Sequence, residues 1–167
     1  IIGRLVGSEM CIRDSSDPAV AARYHALADL PEGTLGRAFY HHCHDNGFAF
    51  PGEPHGPPEM IVIHDMAHVL GGYGTDPGGE FEVAAFSAGF RRAQSASILL
   101  FVLCQFDLGV HVAPVTAPQI GHLDPDRLLA AMVRGSRMNI DLFDGWDPWP
   151  VIDQPLEALR AQYGITP

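Results

Sequence analysis

The sequence predicts an all-α protein, a single compact bundle of about six helices. Three observations carry that expectation. Aspartate stands directly before proline at Asp17-Pro18, Asp76-Pro77 and Asp124-Pro125, which sets a capping side chain beside a residue suited to the first helical position. Between such starts and helix-ending glycines such as Gly47, Gly72 and Gly164, apolar residues recur every three or four positions. No stretch alternates apolar with polar as a half-buried strand does, and no repeat or low-complexity tract interrupts the chain. A length of 167 residues with 47% hydrophobic residues suits one domain with a sizeable core.

Residues 1–15, IIGRLVGSEMCIRDS, read as a non-native or disordered leader. The chain has no methionine at position 1, and GSEMCIRDS resembles translated adapter sequence. Two charges of each sign are unlike the basic start of a signal peptide. The domain is expected over 16–167. Its first helix follows Asp17-Pro18 through Ala19 to Ala28, and Leu30-Pro31-Glu32 interrupts it. A second helix spans Thr34 to Asp45 and stops at Asn46-Gly47. It carries Tyr40-His41-His42-Cys43-His44, but consecutive positions point around a helix. Only His41 with His44 or Asp45 shares a face, so these read as surface or core-packed histidines. Phe48 to Pro58 holds four prolines and is a rigid connector.

The connector delivers the chain to MIVIHDMAHVLGGYGTDPGGEFEVAAFSAGF, residues 60–90. His64 and His68 stand four apart on a helix without a breaker, one turn from each other on one side, with Asp65 beside them. Imidazole and carboxylate are what divalent transition metals take from proteins. Gly71 and Gly72 suit the helix end, and Asp76 with Pro77 opens the next helix, so Glu80 falls in its first turn. A reversal this short sets Glu80 near the two histidines. The expectation is a metal site held between two antiparallel helices.

From Glu80 the second helix is expected to run unbroken to about Phe106, about 40 Å at 1.5 Å per residue. Ser87, Arg91 and Gln94 fall within about 40° of the Glu80 direction and form a candidate substrate path, although a solvated face has the same spacing. Ser95 to Phe106 is apolar nearly all round, as a central helix or one wall of a lipid pocket would be. It falls short of the roughly 20 apolar residues that span a membrane. Gly109 to Leu123 is a loop in which His111 and His122 are bystanders. After Asp124-Pro125, the positions Leu128, Leu129, Met132, Val133, Ile140 and Phe143 define a core face. Arg127, Arg134 and Arg137 lie off it, as solvated residues or as a clamp for an acidic headgroup. Asp144 to Pro150 is an aromatic turn, and Asp153 with Pro155 caps a last helix, Leu156 to Tyr163.

Ten arginines, no lysine and twenty acidic residues give a net charge of -10, which argues against a nucleic-acid partner and against polybasic attachment to anionic lipid. Cys11, Cys43 and Cys104 have no paired spacing, so a disulfide framework or a cysteine zinc site is not expected and a reducing cytoplasm fits.

His64, Asp65, His68 and, after eleven residues, Glu80 match the His-Asp-x-x-His-x11-Glu motif without a gap. With Phe50-Pro51-Gly52-Glu53, Gly72-Tyr73, Gly79-Glu80, Trp146-Asp147 and Leu156 to Ile165, the chain after about residue 30 resembles the ubiquinone (coenzyme Q) biosynthesis proteins of the fourth numbered type. The resemblance implies an all-α fold and a divalent metal ion, zinc, iron or manganese, at His64, Asp65, His68 and Glu80. Asp65 would either ligate or orient a ligand. It further implies a prenylated aromatic quinone precursor as substrate, oxidatively decarboxylated and hydroxylated at ring C1. The setting would be the inner face of a bacterial membrane, among other ubiquinone-biosynthesis proteins; a homodimer is compatible with the sequence. The runner-up is a non-catalytic prenyl-lipid-binding scaffold for those enzymes. A zinc hydrolase fits less well, since its pattern needs Glu after the first histidine and the shorter Asp65 stands there.

Overall fold

The computed structural model describes residues 16–91, 93, 95–112 and 117–166. The proposed leader therefore lies outside the described residues, as does Gln94. Among the described residues the chain forms seven α-helices: α1 Pro18–His25, α2 Leu35–Asn46, α3 Glu59–Gly71, α4 Pro77–Phe90, α5 Ser95–Phe106, α6 Pro125–Ser136 and α7 Leu156–Tyr163. Extended pairing among them is confined to two isolated bridges, Thr34 with Pro155 and Leu108 with Ile120.

Local chemistry sets the helix ends. Asp17, Asp76 and Asp124 each accept two backbone N–H groups of the helix they precede, with proline at the first turn of all three. Thr34 caps α2, and Gly47, Gly72 and Gly164 close α2, α3 and α7 in the left-handed conformation. Asp153 does not cap α7. Pro155 occupies the N-cap without a side-chain bond, and the Leu156 N–H donates to the Gly33 carbonyl at 2.8 Å, which ties the start of α7 to the start of α2.

The expected 40 Å helix is two helices. Arg91 leaves α4 in an extended conformation, and α5 returns so that Val102 and Phe106 bury against Phe81 and Ala84 near the start of α4. The reason is burial: a continuous helix would carry the apolar run beyond the bundle with nothing to cover it, and helix propensity contains no term for that cost. Folded back, α4 becomes the central element, with Phe81, Val83, Ala84, Ala85, Phe86 and Phe90 all buried.

The face of α6 also differs from expectation. Ala131 and Gly135 are buried, Leu128 and Met132 pack on the core, and so do Ile140 and Phe143, which lie beyond the helix end, whereas Leu129 and Val133 are exposed. Small residues decide this, because α4 and α6 cross in near backbone contact. A Cβ at Gly135 would collide with the Phe86 carbonyl, and one at Gly89 with that of Met132. A large side chain cannot enter that crossing. No helix among the described residues is long and apolar enough to cross a membrane.

On an open helix Gly→Ala stabilises by up to about 1 kcal/mol. At Gly135 the sign should reverse, with a loss of about 2–4 kcal/mol read as a lower urea midpoint, because the two helices must separate. An unchanged or raised midpoint would show that the crossing is looser than described.

Candidate metal centre

The metal helix is fixed at its C-terminal end. Three carbonyls left over there would otherwise lack partners. Arg160 of α7 donates to the Val69 and Leu70 oxygens at 2.9 Å each, and Arg134 of α6 donates to the Gly71 oxygen. The Gly72 and Tyr73 N–H groups then fold back onto the His68 carbonyl at 2.7 and 3.1 Å. The reversal is tight because Gly79 has no side chain; a Cβ there would strike the Gly74 carbonyl. Asp76 caps α4 at once, so Glu80 is delivered one turn into that helix, beside α3.

His64, His68 and Glu80 converge. Nε2 of His64 stands 3.2 Å from Nε2 of His68 and 3.4 Å from Oε2 of Glu80, and Nε2 of His68 lies 3.3 Å from Oε1 of Glu80. An ion about 2.1 Å from each donor in a tetrahedral site sets neighbouring donors about 3.4 Å apart, so this donor set fits a transition metal without rearrangement. His68 is the buried member, its side chain 1% exposed, and its Nδ1 lies 3.4 Å from the Tyr73 carbonyl. A carbonyl only accepts, so Nδ1 carries the proton and Nε2 is left for the metal. His64 and Glu80 are 32% and 22% exposed, which leaves the far side of the triad open.

Charge is balanced inside the triad. Burial opposes ionisation of Glu80, but hydrogen bonds from His64 and His68 and their charge outweigh it and bring its pKa down from 4.5 to about 2. Burial likewise opposes protonation of His64, yet the hydrogen bond and charge of Glu80, helped by Asp65, raise its pKa above the ordinary value.

The open side meets a cleft of about 520 Å³ whose walls are mostly apolar. Ile98, Phe101, Val102 and Phe106 of α5 face His64 and Glu80 across it, so the run expected to wall a lipid pocket stands beside the candidate metal position. The proposed path along α4 lies elsewhere. Ser87 is fully buried with its hydroxyl unpartnered, Arg91 stacks its guanidinium 4.6 Å from the centre of the Phe143 ring, and neither lines the cleft. Arg127 pairs with Glu82 and Arg134 serves α3, so both arginines of α6 act within the fold, and Arg137 lies just beyond the helix. His111 and His122 are exposed.

Sequence reasoning passed over His42. His41 turns to Asp45 at 3.5 Å, as their spacing suggests, and the adjacent His44 reaches the same carboxylate at 3.0 Å. His42 instead lies under the site, its ring centre 5.3 Å from that of His68 and its Nε2 3.9 Å from Oδ1 of Asp65. The signal was its place three residues after Phe39 and seven after Leu35, on the edge of the buried stripe of α2. Asp65 is not a member of the converging triad.

A helical bundle carrying two histidines and a glutamate at the wall of an apolar cleft is the arrangement to be compared with known proteins. No protein-family model matches the sequence, and no curated protein matches it. The fold is similar to a crystal structure from Nostoc punctiforme PCC 73102 provisionally assigned as a ubiquinone biosynthesis protein. The TM-score is 0.54 at 20% identity, over 93% of this chain and 77% of that one. At that identity the likeness is one of fold.

The triad predicts a characteristic pH dependence in the metal-free protein. His64, with its folded pKa raised, adds stability that is fully present below pH 6.5 and is lost as pH rises through the folded value. Glu80, with its folded pKa depressed, adds stability present above pH 4.5 and lost as pH falls toward about 2. Their joint contribution is therefore greatest between pH 4.5 and 6.5. Thermal midpoints of wild type minus the Glu80→Gln variant should peak in that window without metal. With saturating zinc the difference should persist above pH 7, because the ion replaces the proton. A flat difference would show that the three side chains do not interact.

Proposed function

We propose that this protein binds a divalent metal ion through His64, His68 and Glu80 and acts on a prenylated aromatic quinone precursor of the 4-hydroxybenzoate type in ubiquinone synthesis. One observation carries the reading: a three-donor site, open on one side, stands at the wall of an apolar cleft. The motif resemblance and the fold of the Nostoc protein support it. The polar ring would sit against His64 and Glu80, and the prenyl chain along Ile98, Val102 and Phe106, where each buried CH₂ contributes about 0.8 kcal/mol.

At ring C1 the bond to the carboxylate breaks, a carbon–oxygen bond forms and carbon dioxide leaves. This is a two-electron oxidation of the ring: the hydroxyl oxygen comes from water, and dioxygen accepts the two electrons and leaves as hydrogen peroxide. Two histidines and one carboxylate with open positions are the ligand set that supports oxygen chemistry when iron is bound. The chain's own part is to hold the ring, to keep Glu80 ionised and to exclude bulk water with the apolar walls. A peptide hydrolase is disfavoured, since Asp65 turns to His42 and does not line the cleft.

The protein would work on the inner face of a bacterial membrane, beside other enzymes that handle the same lipid. Leu100, Phe101, Leu108, Val110, Val112 and Ile120 are exposed on α5 and the loop after it, and Phe101 also lines the cleft. With no lysine and a charge of -10, contact with lipid would be apolar. Vesicle-bound protein should thus resist 1 M salt, and Leu100→Asp with Ile120→Asp should lower partitioning at least tenfold; release by salt alone would count against this attachment.

Given dioxygen, restored iron or manganese and a prenylated 4-hydroxybenzoate, the wild type should release carbon dioxide and form the C1-hydroxylated ring, and His64→Ala should do neither. His64→Ala, His68→Ala and Glu80→Ala should each lose most bound metal. Tight binding of the prenylated ligand with no product under any metal would replace the enzyme with the prenyl-lipid-binding scaffold.

A further inference from the structure

Two polar groups, His42 and Asp65, lie on the protein side of the triad and have no place in the proposed reaction. His42 projects from α2 with its side chain 9% exposed, and its Nε2 is buried without a hydrogen-bond partner. Asp65, 17% exposed, presents Oδ1 to that nitrogen at 3.9 Å, less than 1 Å beyond hydrogen-bonding distance. Burial of a ring nitrogen is tolerated only when it is satisfied, and a carboxylate is the strongest neutral-pH acceptor it could meet. The ring of His42 also lies tilted by 31° against that of His68. Its other ring neighbour is Phe48, edge-on at 5.8 Å, so the imidazole is wedged between the connector and the metal helix.

We infer that His42 and Asp65 form a positioning pair for the metal centre, in which His42 Nε2–H donates to the Asp65 carboxylate and Asp65 stays outside the ligand set. The pair acts at two points. His42 packs on the His68 ring and limits its rotation, while Asp65, next to His64 in the chain, anchors the exposed turn of α3 to α2. His68 is then held from three directions: by the Tyr73 carbonyl at Nδ1, by His42 across the ring, and by its own backbone in the arginine-capped helix. His64 lines the cleft, and the Asp65 anchor stiffens the turn that carries it. The inference rests on the reading of His64, His68 and Glu80 as metal ligands.

The test uses the full chain loaded with cobalt(II) or zinc, with affinity measured by chelator competition and coordination read from the cobalt visible spectrum. Asp65→Asn and His42→Leu should each weaken zinc binding about tenfold, within the range that losing a partner of a ligand costs, and both should keep the wild-type cobalt spectrum. His42→Gln, which keeps an N–H donor at the same reach, should bind within about threefold of wild type. The double variant Asp65→Asn with His42→Leu should bind no more weakly than either single variant, because the two residues act as one. Thermal midpoints of the metal-free variants separate this from a general loss of structure, which His42→Gln would not rescue selectively. A shifted cobalt spectrum in Asp65→Asn would make Asp65 a ligand and overturn the inference, as would additive losses or wild-type affinity in His42→Leu. Failure of the wild type itself to bind either metal would instead overturn the metal reading on which the inference stands.

Discussion

The end of α3 governs much of this molecule. Three carbonyls at that end are bonded by two guanidinium groups, one from α6 and one from α7. Apolar burial drives the helices together, but it is non-directional and does not select one rotation of a helix about its axis. Charge-assisted hydrogen bonds do, at about 1.5–3 kcal/mol each. Arg160 and Arg134 therefore set the register of α3, and through it the direction of His68, one to three residues before the capped carbonyls. The crossing of α4 with α6 at Gly89 and Gly135 fixes the partner helix just as firmly. The candidate site is thus the meeting point of two independently clamped helices, and the loop of residues 72–76 only joins them.

What could be read from the sequence was whatever short-range chemistry decides. Asp-Pro starts and glycine ends gave most helix boundaries to within a residue or two, because a cap involves only its own turn. His64, His68 and Glu80 were legible for a similar reason, since a helical repeat and one short reversal bring them together. Features that depend on distant segments were not legible. The break at Arg91 follows from the need to cover α5, and the true face of α6 follows from the backbone approach at Gly135, where a small residue carries no hydrophobic signal. His42 was missed because its role depends on α2 lying across α3: its spacing from Leu35 and Phe39 marks it as close to the core, but not as a neighbour of His68.

The surroundings of the triad are asymmetric. On the cleft side stand Ile98, Phe101, Val102 and Phe106. His68 also borders a second, smaller hollow, lined by His41, His42, Asp45 and Asn46 together with Ala38, Val69, Tyr73 and Leu156. Low polarity on the cleft side strengthens every interaction among the charged groups, which is consistent with Glu80 remaining ionised although it is mostly buried.

All three donors of the triad fall between residues 64 and 80. An ion joining them closes a loop of about 17 residues, which restricts the unfolded chain by about 2.5 kcal/mol, against about 4.5 kcal/mol for a link spanning the whole chain. Metal would therefore act as a local clip on one helical hairpin and contribute little to holding the distant parts of the bundle together. Such a hairpin has low contact order and can assemble early, before α6 and α7 arrive to cap it. In a cell the ion could then be captured by a partly folded chain, so the choice of metal would reflect which ion is available during folding as much as which one the finished site prefers.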